Sequence, residues 1–460
     1  MKTYDHIILG TGQATGTLLG KLIATGDRIA VIEKEKVGGS CVNYGCTPTK
    51  TLVASARALY LARRGNEYGF KIGEITVDYD VIRKRMNSIR NGNSNGMKKW
   101  LESTDNIDFY HTKGVFLEDK ILSVGDKKIT GKNIYINTGT RPRIPNLEGI
   151  ETVEWMDSAK LLDKPDLPKH LIILGGGYIG AEYAQIYKRF GSKVTIVQRS
   201  EQLMPREDED VADAIKNILQ DEGIDIVFSA SAKAVTKTEK GIALTIEIDG
   251  NEQTIEGSDL LIAIGRLPNS KTIGLENTAI KTNKRGYIQV DDYCRTGVDG
   301  VFALGDVNGE GAFTHTSVND AEIVLDYLFD GERTISKRIP IYGLFTDPPL
   351  GRVGMSEKEA LATGKKVLKA TYPLSKIGRA KEMAETKGFA KLLVDAETDL
   401  IMGGSILGIN GDEIINMFAA IMHSGIQCKN YRRVVLVHPT VSELMPWMLD
   451  GIKEAMENEM

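Results

Sequence analysis

Two short, unbroken apolar runs, each ending in a cluster of glycines, set the frame of this chain: HIILGTGQATG at 6–16 and HLIILGGGYIG at 170–180. A run of that length bounded by glycine predicts a buried strand, a tight turn and a helix. A second apolar strand follows each predicted helix, IAVIE ending at Glu33 and KVTIVQ ending at Gln198, and both end 23 residues beyond the first glycine of their turn. Strand and helix therefore alternate twice over, which predicts an α/β fold with two doubly wound sheets, the second inserted in the first. The first unit is expected over 1–145 and again over 266–338, with the second at 146–265. After Pro340 the pattern changes, and a third, α+β unit is expected over 339–460.

Glycine has a physical task in such turns. Gly10 and Gly12 in the first copy, and Gly175, Gly177 and Gly180 in the second, permit the tight turn and let backbone N–H groups approach a pyrophosphate at the helix N-terminus. Glu33 stands where a carboxylate takes a ribose hydroxyl, so the first turn is expected to hold an adenine dinucleotide without a 2′-phosphate, and FAD fits. The second copy carries Gln198 and Arg199 at that point, with no acid to repel a 2′-phosphate, which favours NADPH over NADH. Thr15 occupies the third small position of the first turn, with glycine displaced to Gly16, and is expected to loosen the helix-to-strand contact slightly.

At 460 residues, 42% hydrophobic and 26% charged, the chain suffices for roughly three domains with large cores. A net charge of −4 without a long basic run leaves no electrostatic footprint for nucleic acid or anionic lipid and favours small-molecule partners. No apolar stretch reaches the ~18 residues of a membrane span and no secretory leader precedes the first strand, so a soluble, cytoplasmic protein is expected. Four cysteines are too few for a secreted disulfide framework, and a reducing compartment suits a bridge that must reopen.

Cys41 and Cys46, in GGSCVNYGCTPTK, follow the first glycine turn at the expected mouth of a helix. On a regular helix residues at this spacing lie too far round to bridge easily, whereas an irregular first turn at Gly45 can bring the sulfurs together. A thiol at a helix N-terminus meets unpaired N–H groups and the positive end of the dipole, which favours the thiolate needed for exchange. The pair is expected to be a reversible disulfide that takes electrons from a flavin. Cys294 and Cys428 read as packed thiols, no second ligand pair stands near Cys41 and Cys46 to finish a zinc shell, and no metal is assigned. His438 and Glu443, in HPTVSE, form a candidate acid–base pair, because histidine titrates nearest working pH and a carboxylate can orient its ring.

Taken together with NTGTRP at 137–142, AIGRLPN at 263–269 and TGVDGVFALGD ending at Asp306, these motifs resemble the class I pyridine nucleotide-disulfide oxidoreductases. That family includes dihydrolipoamide dehydrogenase, glutathione reductase and mercuric reductase, and the likeness covers nearly the whole chain. It implies an FAD domain, an NAD(P) domain and a C-terminal dimerisation domain for the three units. Cofactor contacts are implied at Gly114, beside the adenine, at Thr138, Gly139, Arg266 and Gly305, and at Asp306, beside the ribityl chain. The likeness also pairs Lys50 near the flavin N5 edge with Glu182, makes Tyr178 a lid over the nicotinamide pocket, and sets His315 beside the flavin unless it serves only the helix start. Cys46 is implied as the flavin-facing thiol and Cys41 as the interchange thiol. His438 and Glu443 would reach the disulfide of a partner subunit, giving a homodimer whose active sites are each built by both chains.

Departures from the family pattern narrow the acceptor. Gly20 stands where glutathione-specific relatives carry an arginine, and the tail GIKEAMENEM holds no cysteine pair of the kind that delivers mercuric ion. Tyr44, between the two cysteines, is expected to crowd or hydrogen-bond within the site. The phrases CVNYGCTPTK and VHPTVSELMP look most like a mercuric-reductase-like branch, implying electron transfer to a disulfide or thiol-bound metal. A dihydrolipoamide dehydrogenase of a multienzyme complex and a non-catalytic FAD-binding redox sensor are the alternatives.

Overall fold

The computed structural model describes residues 1–452, so 453–460, with most of the tail GIKEAMENEM, lie outside the described residues. The first apolar run forms the central strand Lys2–Leu9, paired in parallel with Ile29–Ile32 on one side and Lys127–Ile136 on the other. Ile107–Tyr110 and Val301–Ala303 extend this sheet in parallel, and the hairpin strands Gly114–Glu118 and Ile121–Val124 continue it antiparallel. Ile7, Ile8, Ile29 and Val31 are fully buried, as strands covered on both faces require.

The second apolar run forms His170–Leu174 in a parallel sheet ordered Asp225–Val227, Lys193–Val197, His170–Leu174, Asp259–Ile262, Trp155–Met156. A three-stranded antiparallel meander over Ser231–Thr238, Gly241–Ile248 and Asn251–Gly257 lies beside it in the chain. The chain passes between the two units along paired antiparallel strands, out at Thr140–Pro142 and back at Arg266–Pro268. The third unit is a five-stranded antiparallel sheet, from Ile341–Leu344 to Ile401–Leu407, packed against the helix Gly411–His423.

One shared core positions the chemistry. Leu52 and Ala56, on the helix Cys46–Arg63, pack with Ala181, Tyr183 and Tyr187 on the helix Tyr178–Phe190, and Leu344 and Leu350 of the third unit join the same cluster. The cysteine-bearing helix thus lies along the helix that opens at the second glycine turn. Glycine ends that second helix: Gly191 takes φ +117° just after Phe190, with Lys188 and Arg189 in the last turn facing the negative end of the dipole.

Candidate active site

Gly45 breaks the backbone between the short helix Gly39–Tyr44 and the helix Cys46–Arg63, and the Cys41 and Cys46 thiols come close enough for each to act on the other's ionisation. Both are free thiols in this state, Cys46 exposed and Cys41 half-buried. Cys46 is the first residue of its helix. It takes the hydrogen bond of Cys41, lies 3.3 Å from the Thr314 hydroxyl and feels the Lys50 ammonium, and against the opposing effect of burial these lower its pKa to about 6. Cys41 moves the other way, well above the ordinary thiol range, because Cys46 holds its proton and burial adds to the effect. The dithiol therefore carries one charge, on Cys46.

A depressed thiol is ionised above its pKa and loses its charge as the pH falls through it, here near pH 6. Reduced protein treated with iodoacetamide is expected to be alkylated first at Cys46, at a rate that halves near that pH rather than near the ~8.5 of an ordinary cysteine. Peptide mapping across a pH series reads this directly. Preferential alkylation of Cys41 would refute the charge assignment.

Lys50 lies one turn further along the same helix, its ammonium 2.9 and 3.0 Å from the two oxygens of Glu182. Glu182 also accepts the Phe345 backbone N–H at 2.9 Å, and the ammonium stands 4.4 Å over the Phe345 ring. The pair expected from the family likeness is thus in direct contact.

The two glycine turns share one internal tie. The Thr11 N–H donates to Glu33 Oε2 at 2.9 Å, and the Gly176 N–H donates to Gln198 Oε1 at 2.9 Å. Gln198 therefore keeps the turn's internal tie while removing the charge that Glu33 carries. Gly180 is required outright, since a Cβ there would lie 2.0 Å from the Gly175 carbonyl oxygen. Thr15, at the matching position of the first turn, does not loosen the contact. It is fully buried, donates to the Gly10 carbonyl at 3.1 Å and accepts from the Asn137 amide at 3.1 Å, tying helix to strand where a glycine could only touch.

The donor set fits FAD at the first turn and a nicotinamide dinucleotide at the second. Neither the helix Ala14–Leu22 nor the helix Tyr178–Phe190 has an acidic residue in its first turn or a side-chain cap, so the leading N–H groups remain for a pyrophosphate. A Cβ on Gly177 would meet no protein atom within 4 Å, leaving open space at the mouth of the second turn. Glu33 accepts from the Thr11 N–H and hydroxyl and from the Glu35 N–H, which leaves lone-pair capacity for a ribose hydroxyl. Arg199 is exposed and makes no hydrogen bond or ion pair among the described residues.

Three of the quoted motifs meet in one hydrogen-bonded chain. Arg266 donates through Nε to the Thr140 hydroxyl at 2.7 Å and through Nη2 to the Thr140 carbonyl at 2.7 Å, and that hydroxyl donates to Asp306 Oδ2 at 2.8 Å. The other Asp306 oxygen has no partner among the described residues. Thr138 and Gly139 are fixed by Asn269, whose amide donates to the Thr138 carbonyl and whose N–H donates to the Gly139 carbonyl, both at 2.9 Å. Gly305, at φ +70°, leaves no room for a Cβ beside Ser317. Gly114 packs against Leu9 and Ile32, at the ends of the two strands that lead into Gly10 and Glu33.

Three residues take positions that their motifs left open. Tyr178 opens the second helix, and its hydroxyl donates to Glu207 Oε1 at 2.6 Å. His315 stacks on Phe313 at 5.6 Å and bonds the Ile341 carbonyl through Nε2. Tyr44 makes no side-chain hydrogen bond among the described residues and lies under the Lys36 ammonium at 5.8 Å. Cys294 and Cys428 are both buried.

His438 stands apart. Its side chain is 81% exposed, and Nδ1 lies 2.9 and 3.1 Å from the two oxygens of Glu443. A carboxylate only accepts, so Nδ1 donates and Nε2 is left as an outward-facing base. Glu443 sits in the short 3-10 turn Ser442–Leu444 rather than on an α-helix. The neighbouring Val435 and Val437 are also largely exposed. Thr314 and Thr140 are the residues that motif reading missed. Thr314 lies one position before His315, and Thr140 lies inside NTGTRP.

A thiol pair beside a lysine–glutamate pair, flanked by two dinucleotide turns, defines a flavin-linked dithiol enzyme. The chain belongs to the pyridine nucleotide-disulphide oxidoreductase family, whose model matches residues 4–321, with the family's dimerisation-domain model matching 341–449. The chain is 36% identical to a probable pyridine nucleotide-disulfide oxidoreductase, RclA, of Escherichia coli (strain K12), over 98% of this chain and 100% of that protein. It is 29% identical to dihydrolipoyl dehydrogenase of Geobacillus stearothermophilus, covering 96% and 94% of the two chains, and 29% identical to mercuric reductase of Staphylococcus aureus, covering 96% and 81%. The structure of RclA described as a Cu(II) complex of an HOCl-induced flavoprotein disulfide reductase superposes with a TM-score of 0.89 at 35% identity, over 98% of this chain and 100% of that one. The chain is an oxidoreductase of the flavoprotein disulfide reductase type, and no described helix is long and apolar enough to cross a membrane.

Proposed function

We propose that this chain is a cytoplasmic, homodimeric reductase that draws electrons from NADPH in preference to NADH and delivers them through Cys46 and Cys41 to a small disulfide or thiol-bound metal. When bound, FAD relays the electron pair from the nicotinamide to the cysteine pair. The observation that carries the reading is the placement of Cys46 as the first residue of its helix, across the Gly45 break from Cys41, 3.3 Å from the Thr314 hydroxyl and one turn before the Lys50–Glu182 pair. The pocket roles follow. Gly10, Gly12, Glu33, Gly114, Thr138, Gly139, Arg266, Gly305 and Asp306 would hold FAD, and Gly175, Gly177, Gly180 and Arg199 would hold the nucleotide, with Tyr178 as its lid.

Chemistry at the acceptor divides between the two sulfurs. The Cys41 proton must leave before that sulfur can attack, and His438 Nε2 of the partner subunit takes it, oriented through Glu443. The Cys41 thiolate then attacks one sulfur of a disulfide acceptor, forming a mixed disulfide and expelling the first thiolate, to which the imidazolium returns the proton. Cys46 next attacks the Cys41 sulfur, closing the Cys41–Cys46 bridge and expelling the second thiolate, which takes its proton from solvent. Two thiol groups on the enzyme have been oxidised and one acceptor disulfide reduced.

The shared site is supported by the isolation of His438 on an exposed apolar stretch within the segment that matches the dimerisation-domain model. NADPH is supported by neutral Gln198 and unpaired Arg199. A cytoplasmic setting suits a bridge that reopens in every turnover. Glutathione is disfavoured by the exposed Gly20, and the Cu(II) complex described for RclA keeps metal ions among the acceptors to be tried.

An anaerobic titration tests the whole reading. NADPH is expected to bleach the yellow absorbance of the holoenzyme faster than NADH does. The reduced enzyme is then expected to be reoxidised by small aromatic disulfides or by Cu(II) or Hg(II) bound to small thiols, and poorly by glutathione disulfide or lipoamide. Failure of both nucleotides to bleach the protein would end the proposal.

A further inference from the structure

Glu207 is a buried acid that the chemistry above does not use. It lies between the strand Lys193–Val197 and the helix Glu209–Asp221, with its side chain wholly buried. Its Oε1 accepts two phenols at once, Tyr178 at 2.6 Å and Tyr342 at 2.8 Å, and its Oε2 accepts Arg352 Nη1 at 3.1 Å. Arg352 and Tyr342 both belong to the third unit's sheet, on the strands Leu350–Gly354 and Ile341–Leu344. Arg352 also bonds Asp208 at 3.2 Å, and Lys391 of the same sheet reaches Asp208 at 2.8 Å and Asp210 at 2.7 Å. The carboxylate is therefore fixed from the third unit, while one of its donors belongs to the first residue of the helix that opens at the second glycine turn.

The ring attached to that donor is enclosed. Tyr178 packs edge-on against Tyr342 at 5.9 Å and against Phe313 at 6.3 Å, and Phe313 and Tyr342 stack at 5.0 Å. A side chain that rests on two aromatic walls and donates to an immobile carboxylate has one preferred position. Moving it out of the nicotinamide pocket means breaking a short hydrogen bond to an acid that cannot follow.

We propose that Glu207 is a positioning residue, a latch that holds the Tyr178 ring shut over the nicotinamide half of the second nucleotide site and ties its opening to the third unit. The inference rests on the reading of Tyr178 as the lid. Nicotinamide entry has to open the latch and adenine-half binding does not, so the apparent dissociation constant of the whole dinucleotide is its intrinsic value divided by the open fraction. Loosening the latch should therefore tighten one ligand and leave the other alone.

Calorimetric titration of the FAD-loaded protein with NADP+, which binds without reducing it, and with phospho-ADP-ribose, which lacks the nicotinamide, separates the two effects. Tyr178→Phe keeps the ring and removes the donor. It is expected to tighten NADP+ by about fivefold and to change phospho-ADP-ribose by less than about twofold. Glu207→Gln shifts NADP+ in the same direction, and combined with Tyr178→Phe it adds nothing further. Tyr342→Phe removes one bond from the same carboxylate but keeps the ring that walls the lid, the Tyr178 bond and the Arg352 bond, and both ligands should bind as to the parent protein. An unchanged NADP+ affinity in Tyr178→Phe, or the same tightening in Tyr342→Phe, overturns the latch. Tyr178→Ala distinguishes the two levels of failure. If it shifts NADP+ while Tyr178→Phe does not, the lid stands without its latch; if it also leaves NADP+ unchanged, the lid reading falls and the latch with it.

Discussion

Cys46→Ser is expected to leave a yellow protein that NADPH still bleaches anaerobically but that reduces no acceptor, with kcat lower by at least about a thousandfold. The asymmetry follows from the two thiols. Cys46 carries the charge of the dithiol because Cys41, Thr314 and Lys50 all favour its anion. A serine hydroxyl holds its proton at any working pH and cannot close a bridge to Cys41, so the electrons have no sulfur pair to enter. The substitution also removes the anion that holds the Cys41 proton, the main cause of that thiol's raised pKa. Cys41 should then titrate nearer the ordinary thiol value and become the residue that iodoacetamide modifies. Stopped-flow absorbance gives the first result and peptide mapping the second. Acceptor turnover at more than a few per cent of the parent rate would mean that electrons leave the flavin by another path.

How much of this was legible in the chain depended on the range of the interaction. The sheets and their order of assembly rest on local signals, two apolar runs with glycine at fixed offsets, and the family model matches across both. The turn chemistry was local too, since Glu33 and Gln198 tie back to N–H groups only 22 residues away. Thr15 shows the limit even there. A side chain that looks too large for its place is accepted because its hydroxyl finds a carbonyl in the same turn and the Asn137 amide 122 residues away. Thr314 as a partner of Cys46, and Arg352 and Tyr342 as partners of Glu207, were out of reach altogether. Thr314 is 268 residues from Cys46, and Arg352 is 145 from Glu207, and no periodicity or spacing carries information over such separations. Lys50 and Glu182, 132 residues apart, could be paired beforehand only because a family likeness supplied the tertiary contact.

Mixing two inactive proteins is expected to restore activity, the most direct consequence of a site built by two chains. His438→Ala removes the base that must take the Cys41 proton, and kcat/KM with a disulfide acceptor should fall about 100- to 1,000-fold, the usual worth of a positioned general base. Cys41→Ser removes the interchange sulfur, and activity should vanish. Each variant keeps what the other lacks. In a dimer of one chain of each kind, one site joins the intact Cys41 of the first chain to the intact His438 of the second, and the other site has neither. If subunits reassort freely, half the dimers are hybrids with one working site in two, so roughly a quarter of the parent activity should return. Glu443→Gln should act more weakly than His438→Ala, because the amide oxygen still holds the ring through Nδ1. Subunit exchange under mild denaturant, with steady-state assay of the mixture, measures the first effect, and kcat/KM of Glu443→Gln beside that of His438→Ala the second. A mixture no more active than its inactive components, although exchange is verified by mass, would place the base of each site on its own chain.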